Sequence, residues 1–230
     1  MSKRTTAAIK AIAVFPVIAL MSTTAHAGSN DGNIQVKLVG TAVLPDGEIR
    51  EVLNDEIGLP DGSQSRANDN VVPTVAIEYF LSDNFSIETI AGLSQHDVDG
   101  VGALAGAELV SDVVILPATV TAKFHFDLGN GIKPYVGAGP SYFVFIDEQP
   151  GFTAQTLGAT RLRMNDELGF ALQAGIDAPL NDNGLGLTVD VKRYYMRPTA
   201  QFFDATGAEI LATQHRLDPW TISAGIAFRF

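Results

Sequence analysis

Reactive side chains are sparse in this chain, and they do not gather. It has 230 residues and no cysteine, which removes thiolate nucleophiles and thiolate metal sites. His26 lies in the N-terminal leader, and His96, His125 and His215 are scattered along the rest. Serine or aspartate hydrolysis needs an imidazole held within hydrogen-bond reach of its partner. Only His125, beside a short turn, has a conceivable partner in Ser86 across the fold, and it reads as a satisfied surface histidine. "DVDG" (Asp97 to Gly100) and "NDNG" (Asn181 to Gly184) offer oxygen ligands of the calcium-loop kind but not the EF-hand register. "GNG" (Gly129 to Gly131) is a turn, not a phosphate cradle. The expectation is no enzyme, no metal and no cofactor.

A different chemistry recurs: single charges set at every second position of apolar runs. Lys37, Glu78, Glu88, Lys123, Asp177, Asp190 and Lys192 all sit this way. The runs that position them have period two, the signature of β-strands. Eight are legible: Asn33 to Leu44, Val72 to Leu81, Phe85 to Leu93, Leu116 to Phe126, Ile132 to Phe145, Leu168 to Leu180, Leu185 to Tyr195 and Trp220 to Phe230. Short turns (82–84, 127–131, 181–184) alternate with long loops (45–71, 94–114, 146–166, 196–217). That rhythm predicts an all-β, eight-stranded antiparallel up-and-down transmembrane β-barrel, with both chain ends on one side.

Alternation alone does not say which face is inside. A soluble lipocalin-like barrel is apolar inward, a membrane barrel apolar outward. The terminal Phe230, the placement of Tyr79, Phe85, Phe126, Trp220 and Phe228 near strand ends, and the excess of apolar strand faces favour lipid outside. The charges then point into the lumen, since a lysine facing the bilayer midplane costs about 2–4 kcal/mol.

The amino terminus sets the address. Lys3, Arg4 and Lys10 precede the apolar run Ala11 to Met21, and "AHA" (Ala25 to Ala27) is a small-residue cleavage site. Residues 1–27 read as a signal peptide cut at Ala25–Ala27, leaving 28–230 as the barrel domain. A short membrane anchor is the alternative, but the run is shorter than the roughly 20 residues a spanning helix needs. Removing the leader leaves 12 basic residues against 26 acidic, a net charge of −14. Such a surface does not suit nucleic acid. The predicted location is the outer membrane of a Gram-negative bacterium.

Three segments, "LPATVTAKFHF" (Leu116 to Phe126), "KPYVGAGPSY" (Lys133 to Tyr142) and "LDPWTISAGIAFRF" (Leu217 to Phe230), closely resemble the outer-membrane protein W (OmpW) family. Order and spacing match over essentially the whole mature chain; the long first loop departs from typical members. The resemblance implies a narrow, largely apolar lumen and passive, loop-gated passage of small hydrophobic molecules, alkanes and aromatic hydrocarbons in some branches. Implied partners are outer-membrane lipid and lipopolysaccharide, small hydrophobic solutes and the barrel-assembly machinery. A structural, adhesive or receptor barrel, with a plugged lumen and partner-binding loops, is the alternative. Candidate channel-lining residues are Leu44, Leu93, Leu116, Phe143, Phe145, Phe152, Met196, Phe202 and Phe203, with Leu104, Leu157 and Met164 beside them. For any single one, packing of loop on loop is the simpler role. Phe202 and Phe203 are adjacent, so an extended segment turns only one of them inward.

The terminal strand, with Trp220, Phe228 and Phe230, looks like the signal read by the assembly machinery. Replacing Phe230 by Asp is expected to lower the yield of folded barrel in outer-membrane fractions, read by heat-modifiable gel mobility. Unchanged yield removes that role.

Overall fold

The computed structural model describes residues 31–129 and 131–230. The leader, with Ala25 and Ala27, lies outside them. The strands are β1 (Ile34–Leu44), β2 (Gly47–Asp55), β3 (Ser63–Ala67), β4 (Asn70–Phe80), β5 (Phe85–Ala91), β6 (Ser94–Gly102), β7 (Glu108–His125), β8 (Lys133–Pro150), β9 (Arg161–Met164), β10 (Glu167–Pro179), β11 (Leu185–Tyr195), β12 (Thr199–Phe203), β13 (Glu209–Leu217) and β14 (Trp220–Arg229). One short helix, α1 (Phe152–Thr156), follows β8.

Eight strands close a barrel in the order β1-β4-β5-β7-β8-β10-β11-β14 and back to β1, every pair antiparallel. The seam runs between the two chain ends. β1 pairs with β14 from Gln35↔Arg229 to Leu44↔Trp220, and Ile34 and Phe230 exchange backbone hydrogen bonds of 3.0 and 2.8 Å. The first strand thus satisfies the backbone of the last, and the closed barrel has no edge.

Period two is obeyed strictly in the wall. Leu38, Ile77, Ile87, Val120, Leu172, Val189, Ile222 and Ile226 all lie exposed on the outer face. Their chain neighbours Lys37, Glu78, Glu88, Thr121, Gln173, Asp190 and Thr221 are buried inside. Aromatics ring the outer face at both ends. Tyr79, Phe85, Phe126 and Phe228 mark the short-turn end, and Tyr142, Tyr195 and Trp220 the other. Phe124 stacks edge-on between Phe85 and Phe126, ring centroids 5.0 Å from each. Such belts sit where lipid tails meet water.

The expected long loops are largely strand, which corrects the loop assignment. β7 and β8 are each 18 residues long, against about 9–11 needed to span a bilayer. Their upper parts project beyond it and carry β6 and β3 along one side. A separate four-stranded sheet, β2-β13-β12-β9, faces them. Between the two layers lies an apolar core that includes Val110, Val113, Phe145, Ala159, Leu162, Phe202 and Leu211. The projecting strands slip register repeatedly, at Val110/Asp112 and Asp112/Val114 on β7 and at His96/Val98 on β6. Each slip breaks the simple alternation, so these segments do not announce themselves as strands.

Val189, 46% exposed, tests the sidedness. Val189→Arg is expected to cost about 2–4 kcal/mol of folding free energy in lipid vesicles, if it lies near the midplane, and Val189→Leu less than about 1 kcal/mol. Equal free energies would place this face away from lipid.

Candidate functional site

The lower half of the lumen is closed by a cluster of ions. Glu78 on β4 and Glu88 on β5 are directly opposite in register, an unfavourable pairing of like charges. Two lysines resolve it. Lys37 Nζ lies 2.8 Å from Glu78 and 3.2 Å from Glu88, and Lys123 Nζ lies 2.8 and 2.9 Å from the same two carboxylates. Lys192 Nζ adds 3.2 Å to Glu88 and 2.6 Å to Asp190, and Lys37 a third contact, 3.2 Å to Asp177. Gln173 donates to Glu88 (2.8 Å) and Asp190 (2.7 Å), and accepts from Thr121 (2.7 Å).

Tyr135, 2% exposed, completes the layer. Its hydroxyl donates to Asp190 at 2.9 Å, and Lys123 Nζ lies 3.6 Å from the ring centre. The ring fits because Gly175 lies beside it, where a Cβ would collide. Seven of the eight wall strands contribute a side chain to this layer. Three lysines meet four carboxylates, and Arg229 stands just below, lining the same vestibule as Asp177. No apolar path runs through such a layer, which corrects the expectation of a largely apolar lumen.

Above the cluster the inner face turns apolar. A cavity of about 110 Å³ has the cluster as its floor and Val39, Val43, Ile90, Ile115, Phe143 and Met196 among its walls. A second cavity, about 90 Å³, lies between the projecting sheets, lined by Ile57, Leu59, Leu109, Phe202 and Ile210 among others. Ala67, Val98, Met164 and Leu217 line both, so the two adjoin. A third cavity, about 290 Å³ and polar, opens below the cluster at the short-turn end, beside Gln35, His125 and Arg229.

The barrel wall is weakest beside the upper cavity. β5 stops at Ala91 and β6 resumes at Ser94, leaving Gly92 and Leu93 outside both ladders. The β4–β5 ladder ends at Val75↔Ala91. The partner strand carries Pro117 at this level, between Ile90↔Thr119 and Ser94↔Ile115, and proline has no N–H to donate. Above the break, Asn68 and Asn70 tie to Asp97 and Gln95 by hydrogen bonds of 2.7–3.1 Å. Leu93 lines the cavity and is also 54% exposed outside, so its side chain is the wall at that point.

Of the residues expected to line a channel, Leu93, Phe143 and Met196 line the barrel cavity and Phe202 the cap cavity. Leu104, Leu157 and Met164 line the cap cavity too. Phe145 is buried in the apolar core between the sheets. Leu44 and Leu116 are corrections: they alternate with the inward Val43, Ile115 and Pro117 and so face outward, Leu44 beside Trp220. Phe152 is 70% exposed on α1, and Phe203 turns away from Phe202 to lie under the Arg161 guanidinium, 4.5 Å away. Val39, Val43, Ile90 and Leu217 were missed. For the first three, extending the parity set by Lys37 and Glu88 marks the inner face.

The expectation for His125 is corrected as well. His125 is buried, not at the surface, and its Nε2 lies 2.9 Å from Ser86 Oγ and 2.8 Å from Glu78 Oε1. Both partners meet the same nitrogen, whereas a hydrolytic triad places the carboxylate on Nδ1. His125 Nδ1 has no partner among the described residues. His215, in the cap, lies 2.8 Å from Thr213 Oγ1, and burial pushes its imidazole down to about 4.

Glu88 anchors three lysines, so Glu88→Gln removes their shared counter-charge. Leaving buried charges uncompensated is expected to cost about 3–5 kcal/mol, read by urea unfolding in lipid vesicles. A loss below about 1 kcal/mol would mean that the cluster is hydrated like a surface pair.

This geometry can be set beside known proteins. The OmpW family model matches residues 30–230. Outer membrane protein W of Vibrio cholerae is 27% identical over 217 residues, covering 93% of this chain and 96% of that one. The outer-membrane protein y4mB of Sinorhizobium fredii is 30% identical over 94% of this chain and 86% of its own. The crystal structure of the outer membrane protein OprG from Pseudomonas aeruginosa superposes with a TM-score of 0.76 at 22% identity, covering 88% of this chain and 98% of that one, a likeness of fold. With β1 and β14 closing an eight-stranded wall whose apolar face meets lipid, the chain belongs to the OmpW family of outer-membrane barrels.

Proposed function

We propose that the barrel gives small hydrophobic molecules passive passage across the polar outer surface of the membrane and releases them sideways into the bilayer. The observation that carries this reading is the pairing of a closed polar floor with an apolar chamber reaching the broken wall at Gly92 and Leu93. A hydrophobic solute gains about 25 cal/mol per Å² of apolar surface taken out of water, and loses that gain in the ion cluster, where charged groups would be stripped of partners. Its favourable path therefore runs from the cap cavity to the barrel cavity and then outward past Leu93. Phe143, Met196 and Phe202 serve as walls, while Phe145 stiffens the cap.

The same plug supports a second reading, a structural or adhesive barrel whose projecting sheets bind an external partner. Residues 1–27 act in either case as the export signal, and Trp220, Phe228 and Phe230 as the assembly mark. The outer belt meets membrane lipid.

The absence of cysteine makes a cross-link test clean. A Cβ at Gly92 would lie 3.0 Å from Thr74 Oγ1, the place a cysteine sulfur would take, and in a disulfide each sulfur lies about 3 Å from the opposite Cβ. Thr74→Cys with Gly92→Cys, oxidised, pins β4 to the broken strand. Initial uptake of radiolabelled octane by cells lacking their own homologue is expected to fall several-fold and to recover on reduction. Unchanged uptake in the oxidised protein removes the lateral exit. If the unmodified barrel is no faster than empty vector, passage itself fails and the adhesive reading takes its place.

A further inference from the structure

The barrel cavity has a buried hydroxyl that neither the ion cluster nor the fold uses. Thr188, on β11, is 2% exposed and lines the cavity. Its Oγ1 has no hydrogen-bond partner among the described residues. Two pairs of neighbouring hydroxyls satisfy each other. Thr41 and Ser223 bond each other at 2.8 Å, as do Thr119 and Ser141 at 2.7 Å. A buried hydroxyl without a partner costs about 1–3 kcal/mol; Asp177 Oδ1, on the residue opposite in register, is likewise unpartnered among the described residues, so the two mark a position completed by something else. Gly225 is its register partner on β14 and places no side chain over it.

From this geometry we infer a head-group subsite: the cavity takes amphiphiles with one uncharged oxygen function, a medium-chain alcohol or ketone, whose oxygen bonds Thr188 Oγ1 while the chain rises between Val39, Ile90 and Met196. This rests on the passage reading and names the solute class for the same cavity. Charge excludes other heads. Lys37, Lys123 and Lys192 with Arg229 balance Glu78, Glu88, Asp177 and Asp190, so an ionic head of either sign finds no counter-ion left for it. Asp177 lies opposite Thr188 in register and would repel a carboxylate directly. A hydroxyl, by contrast, both gives and accepts a hydrogen bond, so it suits an alcohol or a carbonyl equally. A pure hydrocarbon fills the apolar walls but leaves Thr188 unsatisfied.

The test is equilibrium binding of ¹³C-labelled octane, 1-octanol, octanoate and octylammonium to the full barrel in lipid nanodiscs, each corrected for partition into empty nanodiscs. The expected result is that 1-octanol binds tighter than octane and that both ions bind weakest. Thr188→Val, which keeps the shape and removes the hydroxyl, is expected to weaken 1-octanol about five-fold, the size of one neutral hydrogen bond, and to leave octane unchanged. Thr188→Ser is expected to restore 1-octanol. If octane and 1-octanol bind alike in the unmodified barrel, or if Thr188→Val binds 1-octanol as tightly, the subsite is overturned and passage stands. Tightest binding of octanoate or octylammonium also overturns it. If no probe binds above empty nanodiscs, the passage reading fails first. Should Thr188→Val not fold, Thr188→Ala carries the same comparison.

Discussion

Everything inside this barrel is arranged around two glutamates that face each other. Glu78 and Glu88 stand opposite across the β4–β5 hairpin, both fully buried. Left alone they would repel; bridged by Lys37 and Lys123 they become the centre of a layer reaching almost every strand. Such a layer is expensive to desolvate and expensive to break. It therefore fixes where the lumen is closed, what may lie above it, and which strand register is allowed. A one-residue slip of any contributing strand would turn its charge toward lipid.

The plug and the chamber are consequences of the same alternation. Inner positions carry Lys, Glu and Asp below and Val, Ile, Phe and Met above, while the outer face stays apolar throughout. The change occurs along single strands. β1 passes from Lys37 to Val39 and Val43, and β5 from Glu88 to Ile90. Just above Ile90 the strand breaks. A continuous ladder there would seal the chamber; the break at Gly92 and Leu93, opposite Pro117, leaves one side chain between the cavity and lipid. The projecting strands extend the apolar space beyond the bilayer. Their sheet-on-sheet core holds the cap cavity open with packed walls, where flexible loops would collapse into it.

Much of this was legible in the sequence. Strand count and turns follow from period two; sidedness, and with it the inward charges, needed the aromatics near strand ends and the excess of apolar strand faces as well. The cap did not follow, since register slips around Asp112 and Val98 erase that pattern and made strands look like loops. Strand parity is a better guide to the lining than nearness to a loop: Leu44 and Leu116 lie close to loops and face outward, whereas Val39, Val43 and Ile90 share the parity of Lys37 and Glu88 and line the cavity. Neither the wall break nor the orphan hydroxyl of Thr188 is readable from one strand. Each depends on what neighbouring strands do at the same height.

The central claim is spatial: solute lies above Glu88 and leaves past Leu93. The most direct measurement is anomalous diffraction from crystals of the barrel grown in lipid with 1-bromooctane. The expected result is bromine density in the cavity bounded by Val39, Phe143 and Met196, with further density on the outer surface beside Leu93. Bromine in the lower vestibule beside Arg229, or none inside the barrel, would contradict it.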